Sequence, residues 1–389
     1  MNQKRTIAVI TTSRADYSHL YWPLRELAGH PDVDLELIVM GSHLSPEFGL
    51  TAKEIQKDGF AIAASVETLL SSDTDIGMAK SIGIAVLSLA DLLGRIRPDI
   101  LLLIADRYEI LAPASVALAL RIPIAHIEGG EISEGAIDDA ARNALTKMSH
   151  VHFASTEKAR VRIISMGEEP WRVHRAGAPS LDHLKRSKLC TRSELETQLK
   201  LDLSRPTMIV AYHPVTIARE TTYEASALFA ALSERSEQVL FCYPNADAGN
   251  RSLIEQSRRF LAAGANGHIF VNLSAVVYWS LLANVDLMVG NSSSGIMETP
   301  SLALPTVNVG FRQCGRERAR NVLDAKADKQ FILEKIEIAR SNSFKSSLEG
   351  MTNPYGDGHA AERIVEILTS LPLDADLLWK RASIPESST

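Results

Sequence analysis

The chain has 389 residues, 46% hydrophobic and 23% charged, with a formal net charge of −6. That length asks for two cores rather than one, and the charge balance carries no basic footprint for nucleic acid. Three cysteines, Cys190, Cys242 and Cys314, lack metal-ligand spacing and cannot all pair, which fits a reducing cytoplasm.

The first residues hold too short an apolar run for a signal peptide, and every 18-residue apolar stretch has polar interruptions, so no membrane span is expected. Short apolar runs at 6–11, 35–40, 100–105, 122–127, 151–154, 208–212, 239–243, 287–289 and 306–309 predict buried strands. Between them, segments at 18–27, 76–96, 112–120, 157–166, 253–262 and 276–283 have helical periodicity. Such alternation implies parallel sheets joined by right-handed crossovers. A polar, strand-free stretch at 180–206 separates two strand-rich halves and reads as the linker. The expected fold class is therefore α/β, with two Rossmann-like, doubly wound parallel-sheet domains facing across a cleft. The expected boundaries are 1–185, 186–358 and 359–389, the last piece holding a helix at 360–371 that returns toward the first domain, and a frayed tail.

Polar residues gather where these strands end, and the carboxyl edge of an open α/β sheet is where ligands bind. Ser13-Arg14-Ala15-Asp16 follows the first strand, Asp106-Arg107 the third and Glu128-Gly129-Gly130 the fourth, with Asp138, Asp139 and Arg142 on a following helix. In the second half His213, Asn245 and Asp247 follow strands, and Arg312, Arg316 and Arg318 follow the last one. Gly290-Asn-Ser-Ser-Ser-Gly295 comes straight after a strand and is expected to open a helix whose free N–H groups, with the Ser292 and Ser293 hydroxyls, cradle a phosphate or diphosphate. Glu298, about one turn on, is placed to accept from ribose hydroxyls. Arginine suits phosphate oxygens, and Arg312, nearest its strand end, is the best placed of the three. Taken singly, each has a plainer reading: a serine-capped helix, a solvated acid or basic loop, and for His126 a hydrogen-bonded core histidine. Metal is not favoured, since no HExxH pair occurs; Mg²⁺ carried by substrate phosphates stays open. The glycine fingerprint of a nicotinamide site and the GxSxG nucleophile elbow are both missing.

Jointly, the segments SRADYSHL, MGSHLSPEFG, ADRYE, HIEGGEISEGAIDDAAR, YHPVT, YPNADAG, GNSSSGIMETP, NVGFRQCGR and NPYGDG resemble the UDP-N-acetylglucosamine 2-epimerase family, from Ile7 to about Leu371. The resemblance implies the glycosyltransferase-B architecture. It points to the hydrolysing branch, because the non-hydrolysing branch typically reads HxEAGLR where this chain reads HIEGGE. By resemblance, Asp106, Glu128 and Asp138 match catalytic acids; Arg14, His213, Asn245, Ser292, Ser293, Glu298 and Arg312 match nucleotide-binding positions; Arg107, His126 and Arg142 match positions near the sugar. His19 stands where some members carry lysine and contact diphosphate or sugar, Ala105 where glycine is common, and Asn143 where histidine is frequent. The family also implies a homo-oligomer, dimer or tetramer, acting on a nucleotide sugar in the cytoplasm, with neither nucleic-acid nor membrane partners.

The expected reaction takes UDP-N-acetylglucosamine and water to UDP and N-acetylmannosamine, as in sialic acid biosynthesis. Because C2–H of an acetamido sugar is not acidic, departure of UDP leads, a carboxylate removes the C2 proton from an oxocarbenium-like sugar, and 2-acetamidoglucal is hydrated on the other face. That chemistry needs no redox cofactor. Two alternatives stand beside it: the same chemistry on UDP- or GDP-N,N′-diacetylbacillosamine, leading to legionaminic acid, and a glycosyltransferase of the same fold.

Overall fold

The computed structural model describes residues 4–70, 72, 74–134, 137–215, 224–243, 250–271 and 273–381. The chain packs as two compact units. The first runs to Glu131, resumes over Ile137–Asp182 and takes in the chain from Tyr355 onward; the second comprises Ile132–Ala136 and His183–Pro354.

The sheet of the first unit contains β1 (Arg5–Thr11), β2 (Val33–Met40), β3 (Ala64–Val66), β4 (Ile100–Ile104), β5 (Ile124–Ile127), β6 (Val151–Ala154) and β7 (Val173–Arg175), in the order β3-β2-β1-β4-β5-β6-β7. The second contains β8 (Thr207–Ala211), β9 (Gln238–Tyr243), β10 (Gly267–Val271), β11 (Leu287–Gly290), β12 (Thr306–Val309) and β13 (Val322–Ala325), in the order β10-β9-β8-β11-β12-β13. Every pairing is parallel. In both sheets the strand order reverses once, between β1 and β4 and between β8 and β11. The two-domain α/β class read from the sequence holds.

Both faces of each sheet are covered, which is why the interior strands are continuous apolar runs. Along β1, Ile7 and Val9 pack with Leu20, Leu24 and Leu27 of helix Arg14–Gly29 and with Ile364 and Leu368 of helix Ala360–Ser370. Their neighbours Ala8 and Ile10 point the other way, to Leu89 and Leu93 of helix Asp75–Ile96 and Ala114 and Ala117 of helix Leu111–Leu120. Each such buried leucine contributes about 1.5–3 kcal/mol relative to exposure. In the second unit Val210, Val289 and Val307 meet Leu228, Leu232, Ile332 and Ile336, while Ile209 and Met288 meet Leu281 and Leu282.

Helix Ala360–Ser370 is fastened at its start by Asp182, whose carboxylate accepts from the amides of Ala360 and Ala361 at 2.9 and 2.8 Å. The segment after it is held by the buried Arg172, which donates to the carbonyls of Asp376, Leu377 and Trp379 at 2.7, 2.7 and 3.0 Å. Helix Asp75–Ile96, with a mean hydropathy of 1.7 over its most apolar stretch, is long and apolar enough to cross a membrane by length and composition. Lys80, Ser81, Ser88 and Asp91 interrupt it, in keeping with the polar interruptions expected of the apolar stretches, and Ala85, Leu89, Leu92 and Leu93 help to cover the sheet.

Candidate active site

Each strand-order reversal opens a crevice at the carboxyl edge of its sheet. In the first unit the loops after β1 and β4 flank it. Ser13 caps helix Arg14–Gly29 in a capping box with Asp16. The Asp16 carboxylate accepts from the amides of Thr12 and Ser13, each at 2.7 Å. Asp16 therefore fixes the turn, and Arg14 stands half-buried in the helix's first turn.

The loop after β4 is set by strained backbone. Ala105 has φ +62° and Glu128, at the end of β5, has φ +65°. Left-handed backbone at a residue with a side chain costs on the order of 1–3 kcal/mol and concentrates at functional sites. This accounts for the family's preference for glycine at the Ala105 position. The Ala105 amide donates to Ile127 O at 2.9 Å, while its carbonyl accepts from His126 Nε2 at 2.7 Å. His126 is fully buried, and burial pushes its imidazole down to about 4, so it is neutral and Nε2 carries the proton. His126 thus supports the loop that carries Asp106 through the Ala105 carbonyl.

Asp106 is paired with Arg142, which is 2% exposed. Arg142 also donates to Glu131 O at 2.9 Å and lies 3.6 Å from Asp139. Arg142 is thus a buried partner of the Asp106 carboxylate. Arg107 turns to Glu109 at 2.9 Å. Glu128 accepts from His19 Nδ1 at 2.8 Å, and its own amide donates to Phe153 O at 2.9 Å. The second of the following glycines is required: a Cβ on Gly130, whose φ is +74°, would stand 2.4 Å from Ala159 O. Asp138 is the first residue of helix Asp138–Met148 and is half-buried, and Asn143 reaches Asp139 at 3.3 Å. Asp106 and Glu128 thus lie just after β4 and β5, and Asp138 opens the helix that follows β5.

In the second unit the loops after β8 and β11 are locked together. Gly290 has φ +143°, and a Cβ there would meet Ala211 O at 2.1 Å. Asn291, fully buried, accepts from the His213 amide at 2.7 Å and donates to the His213 carbonyl at 2.9 Å. Asn291 was not singled out as a site residue; its position directly after the strand-end glycine was the available signal. Ser292 and Ser293 follow it, half-buried. The expected helix after them is a correction: Ser294–Met297 is a single turn, succeeded by a 3₁₀ turn over Thr299–Leu302. Pro300 lacks an amide proton and disfavours helical backbone at Thr299, so the helix stops. Backbone amides and hydroxyls remain to hold an anion there; a helix macrodipole does not. Glu298 is buried and accepts the Ser294 hydroxyl, and Ser294 in turn accepts from Tyr278 at 2.9 Å.

The three arginines after β12 separate cleanly. Arg312 donates to Asn291 O at 3.2 Å and so lies beside the loop after β11. Arg316 holds Ile132 O at 2.9 Å and Ser133 Oγ at 3.1 Å, and Arg318 pairs with Asp324 at 2.9 Å. Asn245 lies outside the described residues. Among the described residues no cluster of three or more His, Cys, Asp and Glu side chains is placed to hold a metal.

The sequence model of the UDP-N-acetylglucosamine 2-epimerase family matches residues 25–369. The chain belongs to this family. A GDP/UDP-N,N′-diacetylbacillosamine 2-epimerase (hydrolyzing) from Campylobacter jejuni is 35% identical, over 88% of this chain and 90% of its own. A UDP-N,N′-diacetylbacillosamine 2-epimerase (hydrolyzing) from Legionella pneumophila is 34% identical, over 97% and 98%. Among solved structures, the UDP-GlcNAc 2-epimerase of Neisseria meningitidis bound to UDP-GlcNAc superposes with a TM-score of 0.79 at 18% identity, covering 93% of this chain and 99% of that one. At that identity the likeness establishes the shared epimerase fold.

Proposed function

We infer that this family member is a hydrolysing nucleotide-sugar 2-epimerase acting on UDP-N,N′-diacetylbacillosamine, with release of UDP and the C2-inverted diacetamido sugar. The observation that carries the substrate is the 34–35% identity to two hydrolysing diacetylbacillosamine enzymes over 88% and 97% of the chain. It moves the preferred sugar away from N-acetylglucosamine, which the motifs alone put first. The segment His126-Ile-Glu128-Gly-Gly-Glu131 supports the hydrolysing outcome.

In this reading Ser292, Ser293, His213 and Arg312 hold the diphosphate of UDP, and donors aimed at the departing oxygen stabilise the charge that grows there. As C1 becomes electron-poor, C2–H becomes acidic enough for a carboxylate to remove it. The product is the 2-acetamido glycal. Water then adds at C1, and a proton returns to C2 on the opposite face. Two faces call for two acid/base groups, and Asp106, Glu128 and Asp138 supply them. Every step is a proton transfer or a C–O bond change, so the chemistry calls for no redox cofactor. The enzyme then works in the cytoplasm as a homo-oligomer, in a route to legionaminic acid.

A second reading keeps the chemistry and takes UDP-N-acetylglucosamine to N-acetylmannosamine for sialic acid; the family model's own description favours it. Turnover of both UDP sugars, followed by UDP release and proton NMR, decides. The expected result is a kcat/KM at least about tenfold higher for the diacetamido sugar, the scale on which pockets separate small substituents. The reverse preference establishes the second reading, and an accumulating UDP-linked product overturns hydrolysis.

A further inference from the structure

His19 and Glu128 are 109 residues apart in sequence, and the fold brings the imidazole Nδ1 to 2.8 Å from the carboxylate Oε1. Both partners stand on fixed backbone. His19 lies in the second turn of helix Arg14–Gly29, whose start is locked by the Ser13–Asp16 capping box and whose body packs on the helix Ala360–Ser370. Glu128 is held in left-handed backbone by the hydrogen bond its amide donates to Phe153 O and by the tightly packed Gly129-Gly130 turn behind it. What such backbone leaves undetermined is the carboxylate itself, which turns about three side-chain bonds. An ionised carboxylate only accepts, so Nδ1 carries the proton of this bond. The histidine side chain is 20% exposed and the glutamate side chain 8%.

We propose that His19 is a positioning residue for the reaction: it holds Glu128 Oε1 and thereby orients the carboxylate for proton transfer at C2, where the family resemblance would make position 19 a ligand of diphosphate or sugar. A lysine on this helix would offer a mobile ammonium with three donors; the imidazole offers one N–H in one direction. The role rests on the proposed function only in taking Glu128 as an acid/base group.

The test uses the full-length protein with His19→Ala and His19→Asn, folding being checked by circular dichroism. Asparagine puts an amide N–H near the place of Nδ1. His19→Ala should lower kcat by about 100-fold, as misplacement of a reacting group by an ångström does, with UDP affinity by calorimetry unchanged. His19→Asn should recover about tenfold of that loss. Weakened UDP binding with kcat retained, or no recovery with asparagine, overturns the proposal. A second readout is independent of substrate: ¹⁵N–¹H correlation of the His19 ring in wild type and in Glu128→Gln. The wild-type ring should show a protonated Nδ1 whose shift moves in the variant; identical spectra overturn the pair. If neither sugar is turned over while the ring shift moves, the pairing stands and the proposed function is what fails.

Discussion

At Asp106 and Glu128 a carboxylate is delivered by a non-glycine residue in left-handed backbone or immediately follows one, and each meets a basic side chain: Arg142 in one case, His19 in the other. Asp106→Asn and Glu128→Gln keep size and remove the proton-accepting charge. Turnover should fall by about 10²–10⁴, the usual worth of a general acid or base. UDP alone should bind both variants as it binds wild type, because the loss is confined to the transition state. Calorimetry and initial rates check this; near wild-type turnover in both would make these acids structural. The acids themselves were legible because each follows a recognisable buried strand. Their partners were not. The contacts that tie His19, His126 and Arg142 to these loops are not encoded in sequence spacing.

Among strands, legibility followed solvent. Among the described residues, the nine strands with neighbours on both sides were all visible as apolar runs, and the four that were missed, β3, β7, β10 and β13, are the sheet edges. Interior strands such as β4 and β8 are buried throughout, whereas β3 reads ASV, β7 VHR and β13 VLDA, each partly exposed. An edge strand covered on one side only does not need a continuous apolar sequence. The β11 loop shows the complementary case: its Gly-Asn-Ser-Ser pattern was visible, but the helix it was expected to open ends after one turn at the Thr299-Pro300 step. Arg312, which follows β12 and donates to Asn291 O of that loop, is the test: Arg312→Ala should weaken UDP binding by about 1.5–3 kcal/mol, the range for a hydrogen bond to a charged group. Arg318→Ala, whose side chain is spent on Asp324, should leave UDP affinity unchanged. Equal affinities in the two variants, measured by titration calorimetry, would place the diphosphate elsewhere.

For the molecule as a whole, buried histidines give stability a defined pH dependence. His43, His126 and His150 are each pushed down to about 4, burial being the leading cause in every case. Between pH about 6.5 and 4 the unfolded chain takes up protons that the folded chain does not, so stability falls on acidification through that window. The carboxylates held low by partners, such as Glu168 at about 2, add their own loss only below about 4.5. Urea unfolding followed by circular dichroism should therefore show a lower midpoint at pH 5 than at pH 7.5; equal midpoints would mean that these imidazoles are not buried neutral. The central claim, however, is chemical: C2 is inverted by removing and returning its proton while the bond to UDP is broken. Proton NMR of turnover in D₂O, with UDP-N,N′-diacetylbacillosamine and with UDP-N-acetylglucosamine, tests it most directly. Free UDP and a C2-inverted sugar carrying deuterium at C2 are expected; a released sugar that keeps its original C2 proton would contradict the proton-transfer route.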